Sequence, residues 1–592
     1  MSGYAAPIDD MMFVLEHLAG LPALAKLDGF QQADVATTKG LLEEAGRFFS
    51  EVVAPLNRIG DEQGSRLEAD GTVRTPTGFR EAWSKFVAAG WAGVHLPEEY
   101  GGGGLPFSIG FALQEMFKTA NVAFALAPML TQSAIEAIEQ HGSVEQRNLY
   151  LPMMVSGRWT GTMVLTEPQA GSDLGQLTTR AERKPDGTYR LFGQKIFITW
   201  GDHDLAENVI HLVLARTPDA PAGTKGISLF IVPKFLVEAD GKVGARNDLQ
   251  VLSLEHKLGI HASPTCVMSF GENGEGAVGY LVGEEHTGLA SMFTMMNIAR
   301  LGVGIEGLGA AESAYQRATA FARERLQGRP PGGTGTSPII AHPDVRRMLL
   351  TMRAEVEAMR ALLYVVASQV DFEQWAAEPA ERERAGTILS LLTPVAKAWC
   401  TDLGVEVASL GIQVHGGMGY VEETGAAQIL RDARIAPIYE GTNGIQAMDL
   451  VMRKLPQADG KGMRDILDEV AATASRLGNE TGWELEAAAL TSAAAAVAVA
   501  TDHMLEVLPD HPADALAGAS PYLRMVGFTL GGWVMARSAL VCMRTPDLAQ
   551  DEEFRRAKLT IARFYLGQLL PQAGSLLPAA TAGAEILFDM EP

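Results

Sequence analysis

Hydrophobic positions near the start of the chain recur with the spacing of an α-helix. Residues at i, i+1, i+4, i+7, i+8 and i+11 lie on one helix face, and here they are Leu41, Leu42, Ala45, Phe48, Phe49 and Val52. Pro55 follows this run and is expected to end the helix, because proline lacks the amide N–H that a helix needs. Residues 1–159 are therefore predicted to form an N-terminal helical domain.

A different pattern covers residues 160–284, where short β-branched and aromatic runs alternate with turn residues such as Pro185-Asp186-Gly187. The runs are Leu191–Thr199, Val209–Leu214 and Ile227–Val232. Runs of this length and composition are typical of strands. We therefore expect a compact, β-barrel-like middle domain.

Helical periodicity returns near Ser291 and continues to about Leu455. The Gly- and Pro-rich stretch 328–338 interrupts it as a loop, and residues 457–462 have the composition of a linker. Residues 463–592 are Ala-rich and periodic again. The pattern predicts a helical bundle over 285–455 and an additional C-terminal helical domain over 463–592, so the fold class is α+β and mostly α.

Charge and length limit the possible functions. The 592 residues are enough for two or more domains, and 48 basic against 71 acidic residues give a net charge of −23. Binding to nucleic acid requires a basic face, so this balance disfavours it. A local arginine cluster could still hold a phosphorylated ligand.

Cysteine usage and the absence of apparent targeting segments favour a cytoplasmic protein. Cys266, Cys400 and Cys542 are far apart and form neither a metal-ligand pattern nor a disulfide framework, so no metal is expected. The first ten residues lack the basic and apolar regions of a secretory signal. The apolar stretches Leu490–Ala500 and Met525–Ala536 are too short to span a membrane, and we expect no membrane span.

Candidate chemistry lies in the segment Pro437-Ile438-Tyr439-Glu440-Gly441-Thr442-Asn443. A carboxylate among apolar groups loses solvation, so its pKa rises and it becomes a competent base. Gly441 allows close approach of a ligand, and the next two residues offer hydrogen-bonding groups. An ordinary solvated Glu ahead of a turn is the alternative. Gly101–Gly104 looks like a phosphate cradle, but no Lys-Ser/Thr follows it, and we interpret it as a turn.

Six segments resemble motifs of the acyl-CoA dehydrogenases, in the same order, over roughly residues 35–455. They are Leu96-Pro97-Glu98-Glu99-Tyr100-Gly101-Gly102, Met163–Asp173, Gln194–Thr199, Lys257–Thr265, Gln413–Tyr420 and Tyr439-Glu440-Gly441-Thr442. The resemblance implies an N-terminal helical domain, a β-domain and a four-helix bundle. It also implies FAD as the cofactor, an acyl-CoA substrate and an electron-transferring flavoprotein as the electron acceptor.

The resemblance assigns residue roles. It makes Glu440 the base that removes the α-proton of a thioester. Some relatives carry the base on another helix, one residue before an Arg, but here that position is Ala299, ahead of Arg300. The implied substrate contacts are Ser172, Asn297, Arg300 and Gly441, although many relatives have Asp where Asn297 stands.

The implied FAD contacts are spread over the chain. They are Met163, Leu165, Thr166, Gly171, Ser172, Phe197, Ile198, Thr199, Arg325, Gln413, Gly416, Gly417, Thr442 and Asn443. Thr199 could equally be an ordinary strand residue, and many relatives have a Phe shortly after the position of Arg325 that this chain lacks. In the family, the counterparts of Arg325, Gln413, Gly416 and Gly417 reach the FAD of a neighbouring subunit, which implies at least a homodimer.

Three functional alternatives follow. Gly444 and Ala447 depart from the common family pattern, and together with the extra C-terminal domain they resemble a large bacterial branch that includes 3-methylmercaptopropionyl-CoA and broad-range fatty acyl-CoA dehydrogenases. That thioether substrate or a short- to medium-chain acyl-CoA is favoured over a long-chain one. An acyl-CoA oxidase and a catalytically silent binding relative are the other two classes. Met292, Met295, Met296 and Trp200 could line an acyl pocket or be plain core.

Overall fold

The structure is a computed structural model that describes residues 3–545 and 551–591. It is mostly helical, with one large sheet in the middle of the chain, which confirms the predicted fold class. The chain divides into two compact units. One comprises Met1–Gly46, Pro106–Thr119 and Arg300–Pro592, and the other comprises Arg47–Leu105 and Ala120–Ala299. The predicted domain limits follow the order of elements and stay predictions.

The N-terminal part is helical, as predicted, apart from one short strand pair. Its elements are α1 (Ile8–His17), α2 (Leu21–Leu24), α3 (Val35–Phe48), α4 (Leu56–Gln63), β1 (Arg66–Leu67), β2 (Val73–Arg74), α5 (Phe79–Ala88), α6 (Phe107–His141) and α7 (Val144–Val155). In α3, Leu42 and Ala45 are buried, as their spacing predicts. A π-helical turn follows α3, and Pro55 then precedes α4, so the chain bends at this proline and becomes helical again.

Gly101–Gly104 forms a turn, as expected. The amide N–H groups of these four glycines donate to the carbonyls of Glu98, Pro97, Gly93 and Leu96, in that order. A Cβ at Gly102 would lie 2.1 Å from the Leu96 carbonyl oxygen. The amides are therefore used within the turn and are not available to cradle a phosphate.

The middle of the chain forms the sheet. Its strands are β3 (Trp159–Val164), β4 (Arg180–Arg183), β5 (Tyr189–Thr199), β6 (Asn208–Ala215), β7 (Ser228–Pro233), β8 (Phe235–Val237), β9 (Val243–Arg246), β10 (Leu249–Leu254), β11 (Thr265–Phe270) and β12 (Ala277–Val282). The strand order is β10-β11-β5-β12-β7-β6-β3, with β4 beside β5 and a separate β8–β9 pair. Only β3 and β6 pair in parallel. The three predicted strands are confirmed as β5, β6 and β7.

The helical bundle follows. Its helices are α8 (Gly288–Glu324), α9 (Pro343–Trp375), α10 (Pro379–His415), α11 (Ala426–Ala433) and α12 (Asn443–Asp449). The stretch 328–338 is a loop between α8 and α9, as predicted. Long α9 and α10 pack side by side and are buried over most of their central turns. The turn that carries Glu440 lies between α11 and α12.

The last helices belong to the same compact unit as α9 and α10. They are α13 (Lys461–Gly478), α14 (Glu484–Val507), α15 (Pro512–Ala517), α16 (Ala519–Arg544), α17 (Glu552–Phe564), α18 (Gln572–Ser575), α19 (Leu577–Ala580) and α20 (Glu585–Phe588). Helix α16 packs closely on α10, because a Cβ at Gly527 would lie 2.3 Å from the Trp399 ring. The predicted linker was wrong as an extended segment, since Gln457–Gly460 is a 3-10 turn that leads directly into α13.

A buried ion cluster joins distant parts of this unit. The Arg360 guanidinium on α9 donates to Glu115, Glu312 and Asp10 at 2.6–2.9 Å. Lys558 on α17 donates to the other oxygen of Asp10 at 2.6 Å and to a carboxylate on α9 at 2.7 Å. Burial alone would raise the pKa of Asp10, but the two cations lower it to about 2. The cluster is stable only as a complete set, because a buried charge without a partner is costly.

The length argument against membrane-spanning helices was wrong. Among the described residues, four helical segments are long and apolar enough to cross a membrane by length and composition alone: Gly288–Glu324, Pro379–Tyr420, Glu484–Val507 and Ala519–Arg544. Counting uninterrupted apolar residues missed them, because a window can contain a few charges and still be apolar on average. The most apolar window of Ala519–Arg544 is 89% buried inside the protein, whereas that of Glu484–Val507 is 39% buried.

Candidate active site

The base turn, residues 439–443, places Glu440 in a strained conformation. Glu440 has φ 55°, a left-handed value that side chains other than glycine rarely adopt, and Gly441 follows with φ 84°. The amide of Gln446 donates back to the Glu440 carbonyl at 3.2 Å. Among the described residues, no group accepts a hydrogen bond from the Glu440 backbone N–H. The turn therefore presents a carboxylate and a free amide donor side by side.

The surroundings of Glu440 make it a base at neutral pH. Desolvation by burial raises its pKa to about 7, while the positive charges of Arg300 and Lys397 act in the opposite direction and Glu306 adds to the rise. A carboxyl with this pKa can both take and release a proton near pH 7. This result agrees with the prediction made from the apolar approach Pro437-Ile438-Tyr439.

The residue before the base is anchored by a buried ion pair. The Tyr439 hydroxyl donates to a carboxylate oxygen of Glu306 on α8, and Lys118 on α6 lies 3.5 Å from the other oxygen. Both members of this pair are almost fully buried. Tyr439 is thereby fixed on one side of Glu440.

The residues after the base are anchored by α10. Lys397 donates to the Gly441 carbonyl at 2.9 Å and to the Asn443 side-chain oxygen at 2.8 Å. The Asn443 amide donates to the Ala398 carbonyl, to the Thr401 hydroxyl and to Asp402. Sequence analysis missed Lys397, because no motif contains it. A buried lysine among predicted core positions of α10 was the only available signal.

Thr442 and Asn443 have structural contacts inside the chain. The Thr442 hydroxyl accepts from the Ile445 N–H at 3.2 Å and caps α12. Asn443 is held by α10 as described above. The roles of both residues toward FAD stay predictions.

Arg300 lies close to the base turn. It is 5% exposed, and one guanidinium nitrogen is 3.9 Å from Asp449. A Cβ at Gly441 would lie 3.9 Å from another of its nitrogens. Its neighbour Ala299 is fully buried and cannot ionise, whereas Asn297 is exposed on the same helix. The structure thus brings Arg300 and Gly441 together with Glu440.

We expect Gly441→Ala to lower turnover about 10- to 100-fold, because a displacement of the base by about 1 Å costs a factor of that order. The added Cβ would meet the Gln446 amide nitrogen at 2.7 Å, at a φ that disfavours any side chain. Steady-state kinetics at saturating substrate measures the effect.

Gly444→Ala is the matched control. Its Cβ would meet only the Thr442 hydroxyl, at 3.7 Å, and the residue lies in α12, where alanine is favoured. Equal activity of the two variants would contradict the proposed geometry of the base turn.

In the other compact unit, the predicted cofactor residues of β3 and β5 come together. Met163 is buried in β3, and the chain after it runs beside β5. Lys195 donates to the Leu165 carbonyl at 2.8 Å, and the Ile196 N–H donates to the Thr166 carbonyl at 2.9 Å. Residues 163–166 and 195–199 therefore form one continuous edge.

A β-bulge turns Phe197 outward at this edge. The register between β5 and β11 shifts between Ile198 and Lys195, and Phe197 has φ 59°. Its ring is 59% exposed, whereas Ile198 is buried and Thr199 is half-buried beside it. An exposed aromatic ring next to the half-buried Thr166 and Thr199 fits a planar ligand that forms hydrogen bonds, as the flavin ring would be.

Glu167 organises the loop that carries Gly171 and Ser172. Its carboxylate accepts hydrogen bonds from the backbone and hydroxyl groups of Thr178 and Thr179 and from Lys195. Burial alone would raise its pKa, but these donors lower it to about 2. Gly171 and Ser172 themselves are exposed, and a Cβ at Gly171 would touch nothing within 4 Å. The loop is therefore fixed at its base and open at its tip.

Arg325, Gln413, Gly416 and Gly417 are exposed near the ends of α8 and α10. The Phe321 ring on α8 lies 4.5 Å from the His415 ring on α10, which brings these two helix ends together. His415 also bonds the Gly411 carbonyl within its own helix. Their exposure leaves the four residues available to a ligand or a second subunit.

The candidate acyl-pocket residues are largely core. Met292, Met295 and Trp200 are buried, and Met296 is half-buried. The Trp200 indole donates to the Ala123 carbonyl at 3.2 Å. Their burial favours the structural alternative for these side chains.

Family models match nearly the whole chain. The N-terminal, middle and C-terminal domains of acyl-CoA dehydrogenase match residues 36–158, 162–272 and 286–455, and an acetyl-CoA dehydrogenase C-terminal-like domain matches 466–591. The chain is 46% identical to 3-methylmercaptopropionyl-CoA dehydrogenase of Ruegeria pomeroyi, over 97% of both chains. It is 33% identical to a broad-specificity linear acyl-CoA dehydrogenase of Mycobacterium tuberculosis, over 96% of both.

A solved structure shows the same fold. The FAD complex of an acyl-CoA dehydrogenase from Bacillus anthracis matches with a TM-score of 0.74 and 20% identity, over 98% of this chain and 92% of that one. With the residues above, these matches establish that the chain belongs to the acyl-CoA dehydrogenase family, a family of flavoprotein oxidoreductases.

Proposed function

We propose that this protein is an FAD-dependent dehydrogenase that converts an acyl-CoA thioester to the trans-2-enoyl-CoA. The observation that carries the proposal is the base turn. It holds one carboxyl with a pKa near 7, fixed on both sides, in a chain that matches the family over all its domains.

The chain supplies the proton chemistry of this reaction. The Glu440 carboxylate takes the weakly acidic α-proton, and its own backbone N–H is available to donate to the thioester oxygen, where negative charge develops. A hydride leaves Cβ as the double bond forms, and no side chain can accept a hydride. When bound, FAD would supply this acceptor.

The residues that would hold FAD fall into two groups. Leu165, Thr166, Phe197, Ile198 and Thr199 would contact the flavin ring at the edge of the sheet, and Ser172 on the open loop would contact both cofactor and thioester. Arg325, Gln413, Gly416 and Gly417 would bind FAD of a second copy in a homodimer. Their exposure in a single chain supports this assignment.

We assign 3-methylmercaptopropionyl-CoA, or a short- to medium-chain acyl-CoA, as the substrate. The support is the 46% identity to an enzyme named for the first of these. Broad-range straight-chain activity is the second candidate, supported by the match to the Mycobacterium tuberculosis enzyme over nearly its full length.

An anaerobic titration tests the reaction and the substrate together. The purified holoprotein is mixed with 3-methylmercaptopropionyl-CoA, pentanoyl-CoA and a chain-length series, and flavin absorbance is followed. Pentanoyl-CoA is the matched control, because it replaces the thioether sulfur with a methylene. We expect bleaching by 3-methylmercaptopropionyl-CoA. A bound flavin that no thioester reduces would contradict the reaction class.

The proposal extends to partners and location. The electron acceptor is an electron-transferring flavoprotein, and the enzyme is a cytoplasmic homodimer whose apolar helices are packed inside the protein. Peroxide formation in air without another acceptor would instead identify an oxidase.

The pH dependence of proton removal can be measured without hydride transfer. Acetyl-CoA has α-hydrogens but no β-carbon, so exchange of its α-hydrogens with D2O, followed by mass spectrometry, reports on the base alone. Because the pKa of Glu440 is raised to about 7, we expect the exchange rate to fall about tenfold per pH unit below 7 and to level off above it. A flat profile from about pH 5 to 8 would contradict a base with this pKa.

A further inference from the structure

Lys397 is buried directly behind the base turn. It lies on α10, is fully buried and bonds both the carbonyl of Gly441 and the side chain of Asn443. These two residues are the first and third after Glu440. One ammonium group therefore closes the turn that carries the base.

The turn needs such a closure, because its backbone is strained. A left-handed residue other than glycine costs about 1–3 kcal/mol and persists only where the surrounding structure fixes it. Lys397 and the hydrogen bonds of Asn443 to the next turn of α10 supply that constraint. Without the ammonium, the Gly441 carbonyl would lose its donor on α10.

The same ammonium is an electrostatic partner of the base. The charged groups that face it are Glu440 in the turn, Glu306 and Arg300 on α8, and Asp402 on α10. Burial lowers the pKa of Lys397 to about 8, although the three carboxylates act in the opposite direction. At neutral pH it is mostly charged and lowers the pKa of Glu440.

We propose that Lys397 is a positioning residue for the base, which holds the strained turn and favours the ionised carboxylate of Glu440. This inference rests on the proposed function, in which Glu440 removes the α-proton. Lys397 touches neither substrate nor the reacting atoms in this arrangement, and it acts through Glu440.

Lys397→Met and Lys397→Arg test the proposal in the acetyl-CoA exchange assay and in the pH profile of kcat. Removal of the positive charge should raise the pKa of Glu440, so the acidic limb of both profiles should move to higher pH in Lys397→Met. Exchange at about pH 6.5 should fall at least fivefold, and the loss should shrink as pH rises. Lys397→Arg keeps the charge and should restore the position of the limb.

Two controls separate the possible outcomes. Lys461→Met removes an exposed positive charge that pairs only with Asp465, and it should leave the profile unchanged. Glu440→Gln should abolish exchange; if it does not, the proposed function fails. If Glu440→Gln is inactive but Lys397→Met keeps the wild-type limb, the role of Lys397 is refuted. A limb displaced equally in Lys397→Arg also refutes it, and this arm applies even if Lys397→Met does not fold.

Discussion

Replacing Glu440 with Gln is expected to reduce turnover by at least about 100-fold while FAD and acyl-CoA still bind. The amide keeps the size and shape of the carboxyl but cannot accept the α-proton. The backbone N–H and the contacts of Gly441 remain, so binding should change little. Anaerobic mixing of the variant with an acyl-CoA checks this, since the flavin spectrum should shift on binding but should not bleach.

Glu422→Gln is the matched control. Glu422 is exposed and pairs with Arg431, so its loss should leave turnover close to the wild type. Near-normal turnover in Glu440→Gln would mean that another residue is the base.

Replacing Arg360 with Met is expected to lower the free energy of unfolding by about 3–5 kcal/mol. The side chain is 1% exposed, and its loss leaves Glu115 and Glu312 buried without their guanidinium partner. Urea denaturation followed by circular dichroism measures the change. Activity per folded molecule should be affected less than stability, because Arg360 is not part of the base turn.

Arg347→Met on the same helix is the comparison. Arg347 is about half exposed and bonds only Asp344, three residues before it, so its loss should change stability by no more than about 1 kcal/mol. Similar stability losses in the two variants would show that the buried cluster contributes no more than a surface pair.

Periodicity predicted the large elements because burial on one face determines them. The apolar face of α3 and the three β-branched runs had the spacing of their final structures. Residues 457–462 were wrongly interpreted as an extended linker, because their small and polar residues also suit a tight helical turn. The base was found from a motif that is local in sequence.

Features set by tertiary contact could not be predicted. Lys397 lies 44 positions before Gly441, and only the packing of α10 on the turn brings them together. Along β5, strict alternation would not expose Phe197 and bury the charged Lys195. The bulge and the buried Glu167 carboxylate produce this arrangement, and neither has a signal in the sequence of β5 alone.

The contacts of Asp10 have a consequence for the order of events during synthesis. This carboxylate is made among the first ten residues, yet one of its two cationic partners is residue 558. While the ribosome is still translating the last domain, α1 can be bound by Arg360 but not by Lys558. The first helix of the chain therefore reaches its final set of contacts only when translation is almost complete, and early release of an unfinished chain would leave that helix weakly held.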